Sequence, residues 1–448
     1  MAIILYAHSS GGNNTNSGSS PSVKASGTGA ATTAASAVVN LSADSPDLST
    51  VVANDTIRLN ARTDGYGSIA PNDVFVITAV DNTAKTVTVS PTPNSNTSGV
   101  TWIIGGAFAT IRRAWSFAKG GDKVYARGTF TGLVDLTDAD FFSGGLATTP
   151  ITLEGYTTTP GDNGLCILDG QGSTANGLVF TSSGTQRFWV TKNFRVTNYT
   201  NEGYRNIGGY PTLFINCRAD LCAVGFRVGA LANMIHCQAT DCTDSGFLVH
   251  DHVEFYGCII RDNAIGIECD DGCMFYHCWF VDNTTTAILK TANFRNVRLF
   301  LVDSLIDGGS LGGKGIDGFA DGGYPGNLKI LNSMIIGCST AVDNDNDDGL
   351  WNLGAGILVN GNTFNYVNYS NRMVEVIGAP TFVARGTDYT PLMTSPAVNS
   401  GYDSRASGLV TVTGGQAVIG DLLPAEFSGG GPGGAGLPGG FCDGWGWD

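Results

Sequence analysis

Apolar and polar residues alternate with a period of two along much of this chain, in short runs broken by turn residues. Three such runs stand near the N-terminus: Asp55-Thr-Ile-Arg-Leu-Asn60, Val74-Phe-Val-Ile-Thr-Ala-Val80 and Thr86-Val-Thr-Val-Ser90. The last two flank Asp81-Asn-Thr-Ala-Lys85, which predicts a hairpin loop. Helical spacing is convincing in one place, Ala109 to Ala118, where Ile111, Ala114, Trp115 and Ala118 fall at i, i+3, i+4 and i+7. Thr110 is placed to cap this helix and Gly120-Gly121 to stop it. A strand, Asp122 to Ala126, follows directly.

Downstream, the pattern repeats. Ile215-Asn-Cys217, Ile235-His-Cys237, Tyr256-Gly-Cys258 and Tyr276-His-Cys278 align, and their cysteines step by 20, 21 and 20 residues. After each, a Gly or Ala precedes an apolar residue: Gly225-Phe226, Gly246-Phe247, Gly266-Ile267 and Ala287-Ile288. Weaker copies begin at Asn193, Asp303, Asn332 and Asn362. A unit of two or three short strands cannot bury its apolar face alone, so successive units must stack. This period with short strands and no helical pattern predicts a parallel β-helix. Stacking puts equivalent residues about 4.8 Å apart, so Cys217, Cys237, Cys258 and Cys278 should form an interior ladder. Cys222, Cys242, Asn263 and Asn283 should form a second one near a bend.

Composition agrees with turn-rich β structure: 63 of 448 residues are Gly, and only 14% are charged. The net charge of −15 repels phosphate backbones, which argues against nucleic-acid binding. No apolar run reaches the roughly 20 residues of a membrane span, and Met1 to Ala7 has no basic n-region, so Sec export is not expected. Eleven cysteines, odd in number and widely spread, are read as mostly reduced thiols. Residues 1–37 are low in complexity and are read as an arm. Its Ser/Gly/Asn/Thr stretch, like the Gly-rich tail, buries too little to order by itself, so an assembly partner is expected to hold both.

Two segments carry a family resemblance. Gly106-Ala-Phe-Ala-Thr-Ile-Arg-Arg-Ala114, followed by Gly121-Asp-Lys-Val-Tyr-Ala-Arg-Gly-Thr-Phe-Thr131, resembles the opening of right-handed parallel β-helix proteins of the pectate-lyase-like superfamily, where a helix caps the open end. Asp388-Tyr-Thr-Pro-Leu-Met-Thr-Ser-Pro-Ala-Val-Asn-Ser-Gly401 resembles their closing coil. The resemblance implies an all-β chain: an arm (1–37), a small β domain (38–104), a right-handed β-helix (105–403) with a capping helix at about 110–118, and a C-terminal segment (404–448) with a Gly-rich tail. It specifies fold more than function, because lyases, hydrolases, phage tailspikes and inert virion proteins share it.

Several residues could carry chemistry. Asp241, Asp262 and Asp282 each follow a rung cysteine by four residues, and their stacking gives the ~5 Å carboxyl spacing of a retaining glycosidase. The same residues suit the turn that ends a strand. Asp270-Asp271 is similar to the paired aspartates of polygalacturonases, but the companion Asn-Thr-Asp, Gly-His-Gly and Arg-Ile-Lys motifs are absent. His250 and His252, with Cys269 and Cys273 one rung later, have loose zinc-ligand spacing. Asp343, Asp345, Asp347 and Asp348 alternate ahead of Gly349 as in a calcium loop, but no Glu stands at the twelfth position, so a solvated acidic turn fits better than a Ca2+ site. Trp279, next to an inward cysteine, should point outward, where it could contact a glycan or a partner. Trp445 and Trp447, at the end of the tail, suit anchoring in a partner or packing on the chain itself.

The resemblance, the missing signal segment and the order of domains lead to an expected role as a structural virion protein of a tailed phage. That role implies other virion proteins as partners, a homotrimer, host surface glycan as a ligand, and no required cofactor. A polysaccharide lyase or hydrolase is the enzymatic alternative, and a surface adhesin or filament subunit exported without Sec is a third.

Overall fold

The computed structural model describes residues 3–343 apart from 61, 66–72, 137–148, 181–187, 208–211, 230, 251, 271, 291–297, 310–311, 318–326 and 332, and beyond them five strands, Leu353–Asn360, Phe364–Val367, Met373–Ile377, Phe382–Ala384 and Asp388–Pro391. Its main body is a right-handed parallel β-helix. A typical rung has three strands, for example Val253–Tyr256, Ile259–Arg261 and Ile265–Cys269, which pair in register with Cys273–Tyr276, Trp279–Val281 and Thr286–Lys290 of the next. We number the three stacks sheets I, II and III in that order. Sheets I and II run as one hydrogen-bonded array around a corner, and sheet III is a separate stack of ten strands.

Residues with left-handed backbone make the corners. Between sheets I and II stand Asn193, Asn216, His236, Gly257, His277 and Asp303; between sheets II and III stand Asn198, Leu221, Asp241, Asp262 and Asp282. Asn, Asp and Gly tolerate φ > 0 best because a short polar side chain, or none, relieves the clash with the backbone. A Gly column runs up sheet III, where a Cβ on Gly203, Gly225 or Gly246 would lie 2.5–2.7 Å from the next rung's carbonyl oxygen. The Ala at 287 marks where that column first admits a methyl group.

Rung spacing organises the interior. Tyr204, Phe226 and Phe247 stack with ring centroids 4.4 and 4.6 Å apart, and the column continues through Ile267, Ile288, Ile316 and Val342. Cys217, Cys237, Cys258 and Cys278 are fully buried, in a column that begins with Cys166 and Phe194. At its far end Ser304 Oγ accepts the Cys278 amide at 3.0 Å, and Ser333 Oγ accepts that of Ser304 at 3.2 Å. In the second ladder Asn263 Oδ1 accepts the Cys242 amide (3.0 Å), and Asn263 Nδ2 donates to Asn283 Oδ1 (3.1 Å) and to the Ala239 carbonyl (3.2 Å). These buried amides are tolerated because their hydrogen bonds are made. All ten described cysteines are free thiols, and burial pushes that of Cys222 up to about 11.

The N-terminal residues differ from the arm that composition suggests. Ile4–His8 pairs in parallel with Lys123–Arg127 and so forms the first strand of sheet I. Val23–Thr32 belongs to a closed antiparallel barrel with Val38–Asn40, Thr86–Ser90, Val74–Asp81, Thr56–Leu59 and Thr97–Gly105, so the barrel starts well before residue 38. The polar residues between are fixed within the chain. Ser17 Oγ donates to the Thr56 carbonyl and accepts the Gly105 amide, both at 2.7 Å, and Asn16 Nδ2 donates to the Ala107 carbonyl at 2.8 Å. Intrachain hydrogen bonds hold this stretch to the barrel and to the start of the solenoid.

The helix is Ile111–Trp115, and Thr110 Oγ1 accepts the Arg113 amide at 3.2 Å as its cap. It joins the two bodies electrostatically: Asp73 of the barrel, buried, takes Arg58 at 2.5 Å and Arg113 of the helix at 3.0 Å. Among the described residues no helix is long and apolar enough to cross a membrane.

Candidate functional site

Asp241, Asp262 and Asp282 do stack, since Thr240, Arg261 and Val281 before them are in register. Their backbones, with φ of 54°, 57° and 53°, are the sheet II–III corner itself. Asp262 Oδ2 accepts Arg261 Nε at 2.6 Å. Asp282 lies over the backbone of Gly309, where a Cβ would collide with its carboxylate. The column is therefore committed to turn geometry and to neighbouring groups.

A different set of titratable groups meets on the outer face of sheet III. Ile267 and Cys269 point inward, so Glu268 and, by alternation, Asp270 point out, with Cα atoms about 7 Å apart along the chain. One rung earlier, His250 Nδ1 lies 2.8 Å from Asp270 Oδ2, and Ser245 Oγ donates to Glu268 Oε2 at 3.1 Å. Burial raises the Glu268 pKa from its ordinary value, and the Ser245 bond opposes that shift. A half-buried carboxyl poised toward protonation beside a carboxylate–imidazole pair can exchange protons with a bound ligand. Sequence reasoning singled out Asp270 and His250 separately and missed both their pairing and Glu268. Aligning Gly246-Phe247 with Gly266-Ile267 already sets Leu248 beside Glu268 and His250 beside Asp270.

The zinc spacing brings no such group together. Cys269 and Cys273 are fully buried, while His250 is turned to Asp270 on the outside. Among the described residues no three His, Cys, Asp or Glu are arranged to hold a metal ion. Asp343 ends the strand Thr340–Asp343 and binds Lys314 Nζ at 2.8 Å, a cation it shares with Asp317. Asp271, Asp345, Asp347, Asp348, Trp445 and Trp447 lie outside the described residues.

Trp279 occupies the outward row of sheet II between Ile259 and Leu305, half-buried, while its neighbours Cys278 and Phe280 point inward. Leu305 and Met334 continue that row fully buried, so this face is covered toward the C-terminal rungs. Sheet I presents a half-buried outward row of Ile235, Tyr256, Tyr276 and Val302, in which the two tyrosine rings stack at 5.0 Å.

At the first rung, His8 Nε2 lies 2.5 Å from the Tyr156 hydroxyl, and both side chains are buried. Burial, helped by Arg127, lowers the His8 pKa to about 4, and burial pushes the Tyr156 hydroxyl up to about 12. The neutral pair clips the N-terminal strand to the solenoid.

No family model matches the sequence, and no curated relative does. Among solved structures, the chain is similar to a rhamnogalacturonan lyase (15% identity, 61% of this chain and 82% of that one, TM-score 0.45) and to pectate lyase Pel9A (15% identity, 66% and 87%, TM-score 0.44). It is also similar to the tailspike protein gp49 from Pseudomonas phage LKA1, at 13% identity over 81% of this chain and 64% of that one, with a TM-score of 0.21. These neighbours are pectate-lyase-like parallel β-helix proteins, a phage tailspike among them.

Proposed function

We propose that this chain is a structural protein of a tailed-phage particle, a fibre, spike, appendage or decoration whose β-helix is a rigid element turned toward a host or glycan surface. The observation that supports it best is the fate of the stacked aspartates: a column with glycosidase spacing is spent on left-handed corners and an arginine pair. In this reading the partners are other virion proteins and two further copies of the chain, the protein resides in the released particle, and no cofactor is needed. The test is incubation of the purified protein with the host's surface polysaccharide, followed by chain-length analysis of the glycan. Binding without shortening agrees with the proposal, and shortening overturns it.

A second reading, polysaccharide cleavage, is favoured by Glu268 and the His250–Asp270 pair. Glu268 and Asp270, two residues apart on one outward face, supply the two carboxyl groups that such hydrolysis uses. If the glycan is shortened, Glu268→Gln and Asp270→Asn should each lower the rate at least ~100-fold, the usual contribution of a general acid or base.

A further inference from the structure

The outer face of sheet III carries a second feature, two and three rungs before Glu268. Arg205 and Arg227 are in register on adjacent strands, which sets their Cα atoms about 4.8 Å apart. Each side chain is 32% exposed, and the two share one carboxylate, Glu202, whose side chain is only 3% exposed. Arg227 Nη1 donates to Glu202 Oε1 at 2.8 Å, whereas Arg205 Nε lies 3.3 Å from Oε2 without hydrogen-bond alignment. Among the described residues neither guanidinium meets another acidic side chain. Like charges directly opposite on neighbouring strands repel, and one carboxylate neutralises only one of them. The same row continues with Val179 before and Leu248 after the arginines, so apolar side chains flank the excess positive charge.

We propose that Arg205 and Arg227 form a binding site for an oxyanion group, a carboxylate or a sulfate, held by the solvent-facing edges of the two guanidiniums. The planar fork of donors suits such groups bidentately. Leu248, half-buried beside Arg227, supplies contact for the apolar part of a sugar or other small molecule that carries the anion, while Val179 is itself buried. In a chain of net charge −15 this is a local exception, so binding should weaken as salt rises. The site depends on the arginine pair and not on the particle role.

The test is calorimetric titration of the full chain at low ionic strength with sodium sulfate, sodium glucuronate and glucose. Wild type should bind at least one of the two anions saturably and not glucose; sulfate alone would identify a free inorganic anion, and glucuronate a sugar acid. Arg205→Gln with Arg227→Gln should weaken binding at least tenfold. Because that variant strands Glu202, the decisive partner is Glu202→Gln, which removes the competing carboxylate and should tighten binding several-fold. Circular dichroism checks that each variant is folded. If neither wild type nor Glu202→Gln binds either anion saturably, or if folded double-arginine variant binds as wild type does, the arginines serve only Glu202 and the proposal fails.

Discussion

At Asp241, Asp262 and Asp282 the backbone is left-handed, a conformation that costs an ordinary L-residue roughly 1–2 kcal/mol. Asp241→Val should therefore destabilise the protein by about that much, whereas Asp262→Asn should cost less than about 1 kcal/mol, the worth of its exposed pair with Arg261. Chemical denaturation of the two variants checks both, and a loss at Asp262→Asn as large as at Asp241→Val would contradict the corner role. The His8–Tyr156 clip makes a pH prediction. With a folded pKa of about 4 against roughly 6.5 unfolded, His8 stays neutral in the native state while the unfolded chain takes up a proton. Stability should then fall as pH drops from about 6.5 to about 4, by up to about 3 kcal/mol. His8→Gln keeps a hydrogen-bonding side chain and cannot titrate, so the difference between wild type and variant should change over that window and stay constant above pH 7.5.

Asp73 ties the barrel to the capping helix, and removing it leaves Arg58 and Arg113 facing each other without their shared carboxylate. Asp73→Ala should cost about 3–5 kcal/mol in denaturant unfolding. The cysteine ladder predicts a kinetic result: a thiol reagent should label the ten described cysteines only as the protein unfolds, because their thiols are buried. The ladder was legible in sequence because stacking repeats the same residue at the same place in each rung, so Cys217 to Cys278 identify one another. The first strand was not. Ile4 pairs with Lys123, and nothing local to Ile4–His8 encodes a partner so far along the chain. Val23–Thr32 was equally hidden, since its Gly/Ala/Ser/Thr composition shows no clear alternation and only Ala30 and Thr32 are buried. Glu268 escaped notice for another reason: it becomes distinctive only when the neighbouring rung brings Ser245 to it.

Across the whole molecule, repetition converts a sequence poor in charge and rich in glycine into a long sheet-walled rod with a barrel at its N-terminal end. Interior columns of Phe, Ile, Val, Cys and Asn hold the rungs, and aspartates at the corners account for part of the acidity. The outward rows therefore carry what distinguishes this chain: the tyrosines of sheet I, Trp279 on sheet II, and on sheet III the Arg205–Arg227 pair followed by Glu268, His250 and Asp270. Quantitative mass spectrometry of gradient-purified particles, released from a host carrying this gene, tests the proposed role most directly. The account predicts that the chain co-purifies with the major capsid protein at a fixed ratio. Recovery of the chain only in the soluble fraction, with purified particles free of it, would contradict the account.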